Sequence, residues 1–192
     1  MGQIHRQHAG RDRGNCVNSR DSTFFLPKPL TAKLWQVSSF ATTIIAAPSG
    51  YGKTTAIRDF LQDGLPRGVP VYWFTATDEN PAAGFRRLCR EIEKIDSYAG
   101  ERLLKIELPN AVTIGEAMDA LRRIRCMHEA YLVIDNFQFL HAALPPVFFT
   151  ALLEHGGEGL HIIIITQMLK RDMLAVVISK GCLHITADNL RL

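Results

Sequence analysis

Thr43-Ile-Ile-Ala46 is an apolar run that passes directly into Ala47-Pro-Ser-Gly-Tyr-Gly-Lys-Thr-Thr55, and Ala56, Ile57, Phe60 and Leu61 then fall on one face of a helix. A buried strand, a glycine-containing turn and a helix in immediate succession leave few folds open. A strand feeding a helix that packs back on the same sheet belongs to a parallel α/β architecture. The turn also fits the Walker A phosphate-loop pattern, with alanine in its first position. Gly50 and Gly52 let the backbone turn tightly and aim successive N–H groups inward, Lys53 can reach terminal phosphates, and the Thr54 hydroxyl can ligate magnesium. Ala47, Pro48, Ser49, Gly50, Tyr51, Gly52, Lys53, Thr54 and Thr55 are therefore expected to bind a nucleoside triphosphate.

The other half of such a site belongs at the end of a second buried strand. Tyr131-Leu-Val-Ile-Asp135 has that form, four bulky residues and then a carboxylate. Read as Walker B, Asp135 would join Thr54 in holding Mg2+, usually through water. The same pattern also suits any strand of an α/β protein that ends on a surface aspartate, and the upstream loop favours the metal role.

The rest of the chain alternates in the same way. Strand patterns occupy about 42 to 47, 71 to 76, 130 to 135 and 160 to 166, with a short fifth at 183 to 186, and their isoleucine and valine runs suit a sheet covered on both faces. Helical stripes lie between them: Phe85, Leu88, Cys89, Ile92 and Ile95, then Ile114, Ala117, Met118, Leu121 and Ile124. A helix over 147 to 153 follows Pro145-Pro146, and another spans 172 to 179. The expected fold class is α/β, a P-loop NTPase three-layer sandwich with a mainly parallel five-stranded sheet, and ligands of such sheets bind at the carboxyl ends of the strands.

Composition limits the partners. Of 192 residues, 47% are apolar and 21% charged, which suits one soluble domain. The net charge of +3 resides in residues 1 to 20, where Arg6, Arg11, Arg13 and Arg20 face only Asp12. Residues 1 to 22 are expected to form a polar, disordered tail and residues 23 to 192 the domain, and the balanced charge of residues 21 to 192 gives no case for DNA or membrane. Cys16, Cys89, Cys126 and Cys182 are too far apart for a Cys-x-x-Cys motif. With no signal-like segment and no run of eighteen apolar residues, reduced thiols and a cytoplasmic location are expected.

Several segments together resemble a known family. Phe25-Leu-Pro-Lys-Pro-Leu30, the Gly-Tyr-Gly-Lys-Thr-Thr loop, Val71-Tyr-Trp-Phe-Thr-Ala-Thr-Asp-Glu-Asn80, Leu132-Val-Ile-Asp-Asn136 and Ile185-Thr-Ala-Asp-Asn-Leu190 occur in the order found in MalT-like regulators. These are large ATP-binding LuxR-type transcription factors of the STAND group of signalling ATPases, and the likeness spans about residues 24 to 192. The resemblance implies an ATP/ADP switch: ADP holds a resting form, an inducer with ATP opens it, and protomers then self-associate to activate transcription. It implies contact with DNA only through a helix-turn-helix module, which is not expected within these residues. Where the family has a second acidic residue after the Walker B aspartate, this chain has Asn136, an amide that can orient water but not accept its proton. Lys53, Asp135 and Asn136 thus become the candidate catalytic set, with hydrolysis expected to be slow or absent. Where the family shows a phosphate-sensing arginine, Gln167 stands here, able to donate a hydrogen bond without charge, with Arg171 a more distant substitute.

A catalytic P-loop enzyme, such as a small-molecule kinase or an active ATPase, stays open as the alternative. Guanine specificity is not expected, since no Asn-Lys-x-Asp motif occurs. Trp73 and Tyr72 read as strand residues that pack in the core. Lys28 suits either an approach to the nucleotide or a solvated position. Asp78 and Glu79 could face the phosphates, or Asp78 or Asn80 could cap the helix that begins at Pro81. The histidines lack ligand spacing, and none is assigned to a metal.

Overall fold

The computed structural model describes residues 28 to 190. The basic tail expected over residues 1 to 22, Phe25 and the side chain of Lys28 lie outside the described residues. Five strands form one sheet: β1 (Thr42–Ala46), β2 (Val71–Thr75), β3 (Ala130–Asp135), β4 (Leu160–Thr166) and β5 (Leu183–Thr186). Their spatial order is β2-β3-β4-β1-β5, and every neighbouring pair is parallel. The expected mainly parallel sheet is therefore wholly parallel. Its connections explain this, because each successive pair of strands is separated by at least one helix and none by a tight hairpin turn.

The helices are α1 (Lys28–Leu34), α2 (Lys53–Gly64), α3 (Pro81–Ile95), α4 (Ser97–Ile106), α5 (Ile114–Arg122), α6 (Gln138–His141), α7 (Pro146–Leu153), α8 (Arg171–Ser179) and α9 (Ala187–Leu190). None of them is long and apolar enough to cross a membrane. From β1 the chain runs to the far edge at β2, then returns through β3 and β4 and passes β1 to reach β5. Right-handed crossovers convert that one reversal of direction into a change of face. On one side α2, joined by α1 and α9, packs over Ile45, Val133, Ile163 and Ile185. On the other, α3 to α8 cover Ile44, Leu132, Ile134, Ile162 and Ile164.

Successive strand side chains alternate between the two cores, and two covered faces are why β3 and β4 read as unbroken apolar runs. All six residues of β3 are buried. Each fully buried leucine or isoleucine of these layers stabilises the fold by roughly 1.5–3 kcal/mol. The expected stripes hold in outline, although Ile95, Ile114 and Met118 are half-buried and Ile124 is buried just past the end of α5. Phe60 is half-buried, set edge-on against Trp35 of α1 at 5.7 Å, and Val147 is exposed at the start of α7.

Four helices were not expected from the sequence: α1, α4, α6 and α9. In α4 the apolar signal is thin, since only Ala99, Gly100 and Leu103 are buried, and a glycine inside a helix lowers its propensity by about 1 kcal/mol. Tertiary packing reverses that penalty. A Cβ on Gly100 would sit 2.3 Å from the Cα of Glu93 in α3, so the absent side chain is what lets the two helices touch. Asp96 caps α4 by accepting from Ala99 N at 3.0 Å, and Asn80 caps α3 by accepting from Ala82 N at 2.9 Å, as one of the sequence alternatives expected. The fold thus sends α2 from β1 to one face and α8 from β4 to the other. Between the carboxyl ends of those neighbouring strands lies the crevice such sheets use for ligands.

Candidate functional site

The loop after β1 is shaped by its backbone. Gly50 and Gly52 have φ of 86° and 70°, a region in which L side chains are strained. A Cβ at either position would meet nothing within 4 Å, so conformation rather than crowding demands glycine. Helix α2 starts at once, with Ala56 N donating to Gly52 O at 2.9 Å. The amide N–H groups of residues 52 to 55, at the start of α2, make no backbone hydrogen bond among the described residues. A turn running into a helix start with its donors free is a concavity suited to an anion.

Lys53 lies under this loop, 9% exposed. Its Nζ donates to Ala47 O at 2.6 Å and to Pro48 O at 2.8 Å. Burial pulls its pKa below the ordinary lysine value, and the negative charge of Asp135 opposes that shift. At the next position, the Thr54 hydroxyl lies 3.2 and 3.1 Å from the two carboxylate oxygens of Asp135. Asp135 is almost fully buried at the end of β3, and its Oδ1 also accepts from Asn136 N at 2.9 Å. The Thr54 to Asp135 separation approximates the roughly 3 Å edge of an octahedron with metal–oxygen bonds of about 2.1 Å. A hydroxyl and a carboxylate so placed can share a small divalent cation.

Backbone bonds beyond the strand ends bring the neighbouring loops into line. Ala47 N donates to Thr166 O at 3.3 Å, Phe137 N to Ile165 O at 3.0 Å, and Ala76 N to Asp135 O at 2.9 Å. A cavity of about 170 Å³ results. Ser49, Gly50, Gly52, Lys53, Thr54 and Thr55 form one wall, and Asn136 and Gln167 face them. These residues, 80 to 120 positions apart for the facing pairs, are thus collected around one cavity. Ala47, Pro48 and Tyr51 do not line the cavity. The first two supply carbonyls to Lys53, and Tyr51 packs against the core beneath α2. Asp135 sits behind Thr54 rather than on the cavity wall.

Two residues of this region went unnoticed in the sequence. Gln138 reaches Asn136 Oδ1 at 3.5 Å, and Thr166 Oγ1 reaches Gln138 Oε1 at 3.4 Å. The one available signal was Thr166, a hydroxyl ending the run Ile162-Ile-Ile-Ile165. Asn136 itself has φ of 55°, a left-handed conformation that asparagine tolerates better than most residues.

Other candidates take structural roles. Glu79 forms an ion pair with Arg87 and accepts from Thr77 Oγ1 at 2.9 Å, and Arg87 also donates to Thr75 O at 3.1 Å. Trp73 is only half-buried, with its Nε1 donating to Thr75 Oγ1 at 3.2 Å and Arg58 over its ring at 5.2 Å. Arg171 begins α8 and is absent from the cavity wall. A larger, open hollow of about 460 Å³, lined by Tyr98, Arg123 and Arg125 among others, shares no residue with the crevice. Compared with protein-family models the chain matches none, and comparison with curated proteins gives no match.

Proposed function

We propose that this chain is a P-loop domain that binds ATP and ADP as a switch, with slow or absent hydrolysis, in a signal-responsive transcription regulator. The observation that carries the reading is the convergence on one cavity of the loop glycines, buried Lys53 and Thr54, with the carboxylate of Asp135 directly behind Thr54. On this reading the amides and Lys53 hold the phosphates, while Thr54 and Asp135 hold Mg2+, which neutralises charge on the outer phosphates. Asn136 and Gln167 face the position of the terminal phosphate. Neither is charged and neither can take a proton from water, which supports a holding site over a rapidly turning one. Among the described residues no carboxylate lines the cavity, so a small-molecule kinase, which needs a group to activate its acceptor, has less support.

The adenine preference and the regulatory setting rest on the resemblance to MalT-like STAND regulators. So do nucleotide-dependent self-association, DNA contact through a separate helix-turn-helix module, and the cytoplasmic location. The direct experiment is to denature the purified protein and identify the nucleotide it releases. ADP is expected, because a resting switch holds its product. Release of a guanine nucleotide, or of none together with no uptake of added ADP, would contradict the proposal.

A further inference from the structure

Gln138 is the first residue of α6, and its place is set by its neighbour. Phe137 is buried, donates its N–H to Ile165 O at 3.0 Å and packs against Phe149 at 5.9 Å, so the chain leaving β3 is anchored to β4 before α6 begins. From that anchor Gln138 Nε2 donates to Asn136 Oδ1 at 3.5 Å and its Oε1 accepts from Thr166 Oγ1 at 3.4 Å. Thr166 Oγ1 also lies 3.4 Å from Met168 O, in the turn that carries Gln167. A polar chain therefore runs from the Asn136 amide to the main chain of the turn that carries Gln167. With Asn136 Oδ1 engaged, its Nδ2 is left without an acceptor among the described residues, and Asn136 lines the cavity.

From this arrangement we infer that Gln138 is a positioning residue for terminal-phosphate recognition: it turns the Asn136 amide so that a donor, not an acceptor, meets the outermost phosphate, and ties that amide to the Gln167 turn. The inference rests on the nucleotide reading above. Its bonds are long by hydrogen-bond standards, so they orient two amides and add little to the stability of the fold. A triphosphate places a further anionic group against the Asn136 side of the cavity, whereas a diphosphate is held by the loop amides and Lys53. Gln138 consequently sets the preference for ATP over ADP without changing the affinity for ADP.

The test measures binding of Mg-ATP and Mg-ADP, by calorimetry, to wild type, Gln138→Met and Gln138→Glu, with thermal unfolding to establish that each variant folds. Gln138→Met is expected to leave the ADP dissociation constant unchanged and to weaken ATP about tenfold, the scale of one lost hydrogen bond to a charged group. Gln138→Glu should weaken ATP further, because a carboxylate accepts from Asn136 Nδ2 and swings the amide oxygen toward the phosphates. Thr166→Val, which removes the other end of the chain at nearly constant shape, should reproduce part of the Gln138→Met effect. An unchanged ATP-to-ADP ratio in Gln138→Met, or an equal loss for both nucleotides, would overturn this inference alone. Failure of wild type to bind either nucleotide would overturn the nucleotide reading and this inference with it.

Discussion

Asn136→Asp is expected to raise ATP turnover by roughly 100- to 10,000-fold, the worth of general-base assistance. The position follows Asp135 directly, lines the cavity and carries an amide that cannot accept a proton from an attacking water. A carboxylate of the same size keeps the left-handed backbone, which asparagine and aspartate both tolerate. The Asn136 N–H to Asp135 Oδ1 bond is a main-chain contact and survives the change. The substitution therefore tests chemistry with little change of fold. Steady-state phosphate release at saturating Mg-ATP is the measurement. A wild type that already turns over several times per second, with no increase in the variant, would show that the role given to Asn136 is wrong and would favour the catalytic-enzyme alternative.

Asp135→Asn is expected to remove the gain in ADP affinity that magnesium brings, on the order of 10- to 100-fold. The buried carboxylate accepts from both Thr54 Oγ1 and Asn136 N, and the amide oxygen of the variant can accept in the same places. What the variant lacks is charge. Divalent cations are held by anionic oxygen, and Lys53 also loses the neighbouring charge that raises its pKa. Titrations with ADP in magnesium and in EDTA should differ for wild type and coincide for Asp135→Asn. A variant that keeps the full magnesium dependence would remove Asp135 from the metal site.

Much of the fold was legible because its local and tertiary preferences agree. β3 and β4, buried on both faces, announce themselves as apolar runs, and the strand limits differ from expectation by no more than one residue. The loop was legible for a different reason: Gly50 and Gly52 are glycines that the backbone requires. What stayed hidden depends on long-range contact. Helix α4 has a weak stripe of its own and exists because Gly100 lets it press against Glu93. Gln138 gave no periodic or motif signal, since its role comes from the β3–β4 register that brings Thr166 and Asn136 within its reach. Tyr51 fits the motif as well as its neighbours do, yet packs into the core, because a pattern of residue types does not say which way a side chain turns.

Thermal unfolding of wild type and Lys53→Ala with Mg-ATP, Mg-ADP and Mg-GTP decides whether this cavity binds adenine nucleotide through Lys53. A ligand present at about 100 times its dissociation constant stabilises the folded state by about 2.7 kcal/mol. For a domain of this size that moves the melting temperature by roughly 5 to 10 °C. Each protein is compared with itself without ligand, since Lys53→Ala also removes the two bonds to Ala47 O and Pro48 O. Wild type is expected to shift with ATP and ADP but much less with GTP, and Lys53→Ala to shift with none of them. Equal shifts in wild type and Lys53→Ala, or no shift in wild type with any of the three, would contradict it.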